Sequence, residues 1–185
     1  MFLGSTAERT VRHSPCPVFI MRQLDNGLLE KKAGYKKILV PVDFSDCSRE
    51  GLRYAIKFAE RFGAKLIALH AISLPYPYNT DVALRDDMRK DPARRMQRFL
   101  QTVRFRGVKV QTAITTGTPV TEICSFAAKK EVDLIITSTH GLSGLKKVST
   151  GRVAEKVVRH AFCSVLVVPS HPKIRVAKLS KRDNE

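Results

Sequence analysis

Short, nearly continuous apolar runs alternate along this chain with longer stretches whose apolar positions recur every three or four residues. Residues 37–42 (Lys-Ile-Leu-Val-Pro-Val) form the first such run, the pattern of a strand buried on both faces. Beyond it, Ser45 or Asp46 is positioned to cap a helix. Its apolar positions Leu52, Ala55, Ile56, Ala59 and Phe62 follow the i, i+3, i+4, i+7 spacing, and Gly63 is its stop. Residues 66–72 read as a second strand. After a connection rich in Pro and Tyr (Pro75, Tyr76, Pro77, Tyr78), a second helix runs over 92–103 with Pro92 near its start. Residues 108–114 alternate as a third strand. Thr118 then caps a helix with Pro119 in its first position and Val120, Ile123, Cys124, Ala127 and Ala128 on its apolar face. A fourth strand over 134–136, a helix over 151–161 and a fifth strand over 165–168 complete the pattern.

Parallel strands need crossover connections, so strands alternating with helices predict an α/β fold of three layers, a five-stranded parallel sheet with helices on both faces. Ligands on such sheets bind beyond the C-terminal ends of the strands, where the winding reverses. The candidate site is therefore formed by Pro41, Val42 and Asp43 after the first strand and by residues 138–151 after the fourth. That second loop contains His140, Gly141 and Gly144 and feeds a helix starting near Gly151, an arrangement that presents backbone N–H groups to a phosphate.

With 185 residues and 43% apolar content, the chain can bury a full core, and its length fits one principal domain with additions. No apolar run approaches the ~20 residues of a membrane span, and the N-terminus has no signal-peptide pattern, which predicts a cytoplasmic protein without a membrane partner. Cys16, Cys47, Cys124 and Cys163 show no C-x-x-C pairing and sit in or beside apolar segments, as small core thiols do; no metal site is expected. Lys and Arg number 33 against 17 Asp and Glu, a net charge of +16. The charge concentrates over 85–106 and in the tail 171–185. Acidic residues interrupt the first cluster and few aromatics are interleaved, so a solvated helix face is favoured over a nucleic-acid surface.

One segment recurs. Residues 4–18 align without gaps on residues 151–165, with identities at Gly4/Gly151, Ala7/Ala154, Glu8/Glu155, Val11/Val158, Arg12/Arg159, His13/His160, Cys16/Cys163 and Val18/Val165. Both copies read as helix then strand, and the offset, 151 − 4 = 147, is about one domain in length. Residues 1–22 are therefore expected to be the last helix and strand of a preceding domain, 23–34 a linker, 35–170 the main domain and 171–185 a basic tail. The N-terminal remnant, with its strand over 18–21, is expected to pack near the fifth strand, within one chain or between two.

Several features taken together resemble the universal stress protein family: Lys37-Ile-Leu-Val-Pro-Val-Asp43 with Ser45 beyond, Leu69-His-Ala-Ile72, Gly117-Thr-Pro119 with Glu122 and Ile123, Asp133-Leu-Ile-Ile136, His140-Gly141, Gly151, and residues 159–168. The resemblance covers about residues 36–169. It implies the adenine nucleotide alpha hydrolase-like, Rossmann-like fold, dimerisation by pairing of the last strands, and either of two branches, one binding ATP and one not. ATP-binding members resemble G-x2-G-x9-G-[ST], whereas this chain has Ser138-x2-Gly141-x9-Gly151-Arg152. The spacing survives, Ser138 replaces the first glycine and Arg152 the final hydroxyl residue. By resemblance, Asp43 meets the ribose or adenine end and Ala71 the base, while Gly141, Gly151, Arg152 and Val153 surround the phosphates; Thr137, Ser138 and Ala154 flank them. Each has a structural alternative: a cap or turn for Asp43, sheet core for Ala71, turn roles for His140 and the glycines.

The implied function is a stress-response regulatory protein binding ATP or a related adenine nucleotide, accompanied by Mg. The alternative is a nucleotide-free dimerising interaction module with an unknown protein partner. An enzyme is not expected: neither S-G-G-x-D-S nor G-x4-G-K-[ST] occurs, and no paired acid and base or nucleophile constellation is visible. Slow ATP hydrolysis is compatible with this reading.

Overall fold

The computed structural model describes residues 4–22, 34–73, 91–139 and 152–169. Its elements are α1 (Ser5–His13), β1 (Val18–Ile20), β2 (Lys37–Pro41), α2 (Asp46–Phe62), β3 (Lys65–Ile72), α3 (Pro92–Gln101), β4 (Val110–Thr116), α4 (Pro119–Lys129), β5 (Leu134–Ser138), α5 (Arg152–His160) and β6 (Ser164–Val168). They build one sheet in the order β1-β6-β5-β2-β3-β4. The five strands β2 to β6 pair in parallel, as expected. The sixth, β1, is added at the edge and runs antiparallel to β6.

Near-continuous apolar strands are explained by two cores, one on each face of the sheet. Ile38, Val40, Leu66, Ala68, Leu134, Ile136, Leu166 and Val168 point to one side, where they pack with Leu52, Ala55, Ile56 and Ala59 of α2 and with Met96 and Phe99 of α3. The alternate residues Leu39, Ile67, Leu69, Ile135, Val165 and Val167 face the other side, against Ile123, Cys124 and Ala127 of α4, Ala154, Val157 and Val158 of α5, and Val11 of α1. At about 1.5–3 kcal/mol for each large side chain fully buried, these two layers are the main stabilising term.

Local signals set the boundaries. Ser45 caps α2 by accepting the Ser48 N–H at 3.1 Å, and Gly63 ends it in a left-handed conformation (φ 64°), which glycine adopts without the cost a Cβ would add. Gly51, within α2, lets the helix approach the end of β5: a Cβ built there lies 3.7 Å from the Ser138 nitrogen. Thr118 stands at the N-cap of α4, but its side chain makes no capping hydrogen bond. The third strand of the sequence pattern, β4, begins later than its alternation suggests, at Val110, because the Val108 N–H turns back to the Phe105 carbonyl at 2.9 Å and closes a turn instead. At the opposite end of the sheet from the candidate site, buried Asp133 ties β2 to β5, its Oδ2 accepting the N–H groups of Lys36 (2.9 Å) and Lys37 (2.8 Å).

The basic helix α3 buries Met96 and Phe99 and leaves Arg94 and Arg98 in solvent. Among the described residues Cys124 is buried, with burial pushing its thiol pKa up, and the other three cysteines are half-buried; none of the four forms a disulfide. No described helix is long and apolar enough to cross a membrane.

Candidate functional site

β2 is the strand at which the winding reverses, since the chain proceeds outward through β3 and β4 on one side and lies beside β5 and β6 on the other. Its register with β5 (Ile38↔Leu134, Leu39↔Ile135), extended along the strands, puts Pro41 level with Thr137. Its register with β3 (Pro41↔Leu69), extended likewise, puts Asp43 level with Ala71, and Ala71 is paired with Thr115 of β4. Five residues expected at the site, Pro41, Val42, Asp43, Thr137 and Ser138, thus come together at the C-terminal ends of two neighbouring strands, with Ala71 one strand away.

Each has a definite local role. The Val42 N–H donates to the Leu69 carbonyl at 2.7 Å, continuing the ladder one residue beyond β2. The Val42 carbonyl, an acceptor only, lies 2.7 Å from His70 Nδ1, which assigns the proton of the neutral imidazole to that nitrogen. Asp43 is half-buried and its Oδ1 accepts from both the Ser45 N–H (3.0 Å) and the Ser45 hydroxyl (2.6 Å). This turn delivers the chain to the N-cap of α2. Thr137 is buried and Ser138 half-buried, and the Thr139 N–H beyond them donates to the Val168 carbonyl at 2.9 Å. Arg152 opens α5, Val153 is 41% exposed on its first turn, and the Ala154 side chain belongs to the core. His140, Gly141, Gly144 and Gly151 lie outside the described residues.

The structure adds residues that the sequence did not single out. Phe44 is left-handed (φ 68°), an unfavourable conformation for a residue with a Cβ. Its ring is held 4.3 Å from that of His70 and 5.7 Å from that of Phe99, and the Arg95 guanidinium lies over it at 4.7 Å. On β4 the Thr115 hydroxyl is buried without a hydrogen-bond partner among the described residues. A buried orphan hydroxyl costs about 1–3 kcal/mol, and this one lies on the residue paired with Ala71. Strand periodicity alone signals neither residue. A group of three or more metal-ligating side chains does not occur among the described residues.

Burial is the main influence on His70 and lowers its pKa from 6.5; nearby Arg95 acts the same way, while the Val42 carbonyl and Asp43 oppose them. The folded protein therefore takes up this proton less readily than the unfolded chain. Stability linked to His70 is complete above the unfolded value and is lost as pH falls below it toward the folded one. Urea-unfolding midpoints measured from neutral to mildly acidic pH are expected to drop in the wild type, with the His70→Gln variant lacking that component. Parallel profiles for the two proteins would refute the assignment.

A switch-point arrangement of strand ends, a two-sided parallel core and a glycine-spaced sequence between β5 and α5 can be compared with known proteins. The profile of the Universal stress protein family matches residues 34–169. This chain belongs to the universal stress protein family. Universal stress protein MJ0531 from Methanocaldococcus jannaschii is 35% identical over 144 residues, covering 75% of this chain and 85% of that one. The structure of universal stress protein UspA from Lactobacillus plantarum, 31% identical, superposes with a TM-score of 0.60 over 74% of this chain and 99% of that one. A longer chain, the putative universal stress protein from Pseudomonas aeruginosa UCBPP-PA14, shares the fold at 23% identity and a TM-score of 0.61, covering 91% of this chain and 57% of its own. The Lactobacillus protein thus consists almost wholly of the domain shared here, whereas the likeness to the longer Pseudomonas chain takes in more of this universal stress protein than that domain.

Proposed function

We propose that this universal stress protein is a regulatory protein that binds ATP or a related adenine nucleotide between the ends of β2 and β5, and that it is not a dedicated enzyme. The observation that carries the reading is the meeting of the β2 and β5 ends at the switch point, with Ser138-x2-Gly141-x9-Gly151-Arg152 linking β5 to α5. In this reading Asp43 meets the ribose or adenine end, and Ala71 lies beside the base, with the Thr115 hydroxyl next to it as a polar contact. Backbone N–H groups around Gly141 and Gly151 receive the phosphates, aided by the N-terminus of α5, and magnesium arrives with them. Arg152 supplies a charge-assisted partner in place of a hydroxyl. The protein acts in the cytoplasm, and occupancy of the site is the signal.

Equilibrium titration with a fluorescent ATP analogue and magnesium tests this. The wild type is expected to bind at least about tenfold more tightly than Gly141→Ala/Gly151→Ala, because added Cβ atoms keep backbone from approaching phosphate. Equal weak binding by both proteins would sink it. A nucleotide-free interaction module is the second reading, favoured by the packing of Ser138 against Gly51 and by Arg152 at the end of the spacing. Denatured, freshly purified protein that releases no nucleotide, together with no binding in the titration, would support it.

A further inference from the structure

Between Asp91 and Glu122 the chain has no acidic residue, and within that span stand Arg94, Arg95, Arg98, Arg104, Arg106 and Lys109. All of them are exposed, and they come from one continuous edge of the molecule: α3, the connection that follows it up to β4, and with β4 the outermost strand of the sheet on the side away from β1. Asp91, at the head of the span, is committed to capping α3, its Oδ1 accepting the Arg94 N–H at 2.9 Å. Among the described residues no ion pair involves any of these cations, whereas Arg49 and Arg53 of α2 are matched by Asp46 and Glu50. Residues 74–90, which lie outside the described residues, contain three basic and three acidic residues and so leave the balance unchanged.

Local structure fixes where these charges stand. Met96 and Phe99 bury one side of α3, which leaves Arg94 and Arg98, one turn apart and about 6 Å along the axis, in solvent. Arg95, also exposed, lies over the Phe44 ring at 4.7 Å. Beyond the helix the exposure alternates: Val103, Phe105 and Val108 pack against the core, and Arg104, Arg106 and Lys109 between and beside them are in the open. The Val108 N–H closes its turn onto Phe105 with both central residues left-handed, Arg106 (φ 49°) and Gly107 (φ 82°). At the end of the connection the Lys109 carbonyl accepts the Leu66 N–H at 3.1 Å, which ties it to β3. Three of the cations thus stand on backbone held in place by apolar anchors and sheet hydrogen bonding.

A strip of unmatched cations fits a partner with closely spaced negative charges, and a nucleic-acid duplex carries one per ~1.7 Å of its axis. Arginine, which supplies all but one of the cations, matches phosphate oxygens with its two-pronged donor geometry. Gln111, Thr112 and Thr116, exposed on β4, are neutral side chains of the kind that also contact phosphates. Single-strand binding relies on open aromatic rings for base stacking, but Phe99 is buried and Phe105 packs against the core. A protein partner or a lipid surface calls for exposed apolar anchors, and among the described residues of this edge Ile114, at 36% exposure, is the one large apolar side chain in the open. We propose that the α3–β4 edge binds the phosphate backbone of a nucleic-acid duplex through charge, without reading its bases. The sequence pattern favours a solvated face because acids interrupt the charge run; in the structure the acid-free part of that run is what forms the edge.

Fluorescence anisotropy of the full chain with an end-labelled DNA duplex of about 20 base pairs tests the proposal. With about five phosphates engaged, the logarithm of the binding constant is expected to fall against the logarithm of the NaCl concentration with a slope of about −4 to −5, a loss of about 500-fold between about 50 and 200 mM salt. Two duplexes of unrelated sequence are expected to bind alike, and a single strand of the same length more weakly. Arg94→Glu/Arg98→Glu and, separately, Arg104→Glu/Arg106→Glu are each expected to weaken binding at least about tenfold and to reduce the slope by about 2. Lys129→Glu/Lys130→Glu, exposed at the end of α4 on the other face of the sheet, changes the net charge equally and is expected to cost less than about threefold.

The same measurements separate this surface from the basic tail and from the nucleotide site. Binding carried by the tail over 171–185, or by net charge alone, would leave the α3 and loop variants no weaker than the Lys129/Lys130 control, and that outcome overturns the proposal. Gly141→Ala/Gly151→Ala is expected to bind the duplex as the wild type does, so failure of the nucleotide reading leaves this result intact; loss of duplex binding in that variant would assign the duplex to the nucleotide site and overturn the proposal. A flat salt dependence, tighter binding to the single strand, or binding to phosphatidylserine vesicles with none to the duplex would each overturn it as well. Urea midpoints establish that the variants are folded, and the two charge-reversal pairs sit on separate segments, so either pair alone decides the outcome if the other does not fold.

Discussion

Replacing Asp133 by alanine is expected to lower the unfolding free energy by about 3 kcal/mol, since two backbone donors lose a charged acceptor at once. Asp133 is only 8% exposed, and its Oδ2 holds the N–H groups of Lys36 and Lys37. Lys37 begins β2 and Lys36 directly precedes it, and the Asp133 N–H returns the bond by donating to the Lys37 carbonyl at 3.0 Å. The side chain therefore fixes where β2 starts against β5, and through that register which residues come together at the far ends of the strands. Asp133→Asn retains an acceptor oxygen without the charge and is expected to lose roughly half as much. Urea denaturation with an unchanged m-value reads both effects. A loss below about 1 kcal/mol for the alanine variant would show that the two donors find other partners.

Asp43 separates a structural from a ligand-directed role. Its Oδ1 serves the turn into α2 by accepting twice from Ser45. Asp43→Asn keeps an oxygen for that turn, whereas Asp43→Ala removes it. In the proposed site the carboxylate also meets the nucleotide, where a hydrogen bond involving a charged group contributes about 1.5–3 kcal/mol. Asp43→Asn is therefore expected to reduce affinity for the ATP analogue about tenfold or more with little change in thermal midpoint, and Asp43→Ala to reduce both. An asparagine variant that binds as the wild type does would leave Asp43 with the turn alone.

The five parallel strands and the helices between them were legible because burial on two faces leaves a strong mark: 37–42, 66–72 and 165–168 have little room for polar side chains. Ser45 and Gly63 at the two ends of α2 were equally readable, being residues that cap and terminate helices for local reasons. The start of β4 was not, because Val108 alternates correctly yet spends its N–H on a turn. Thr118 carries a capping side chain that makes no capping bond, since the cap position is defined by backbone shape and the side-chain bond is optional.

The site was legible at coarser grain. Switch-point logic brought Pro41, Val42 and Asp43 to the ends of Thr137 and Ser138, because register follows from pairing at the strand starts. Phe44 and Thr115 were beyond its reach: one depends on a left-handed backbone held by rings from two other elements, β3 and α3, the other on an unmatched hydroxyl visible only once its neighbours are in place. The internal repeat announced a relationship between two segments, but the antiparallel pairing of β1 with β6 within one chain emerges only from the structure.

That arrangement also bears on how the chain is assembled during synthesis. β1 is the first of the described strands to be made, yet its partner β6 is the last, and 147 residues separate Val18 from Val165. β2, β3 and β4 pair with neighbours in sequence and can form while the chain is still growing; β5 and β6 then add to the open side of β2. Throughout that interval Val18, Phe19 and Ile20 have no sheet to join. The first of the described strands to be made is thus the last of them to dock, and its arrival signals that the described strands between have been completed.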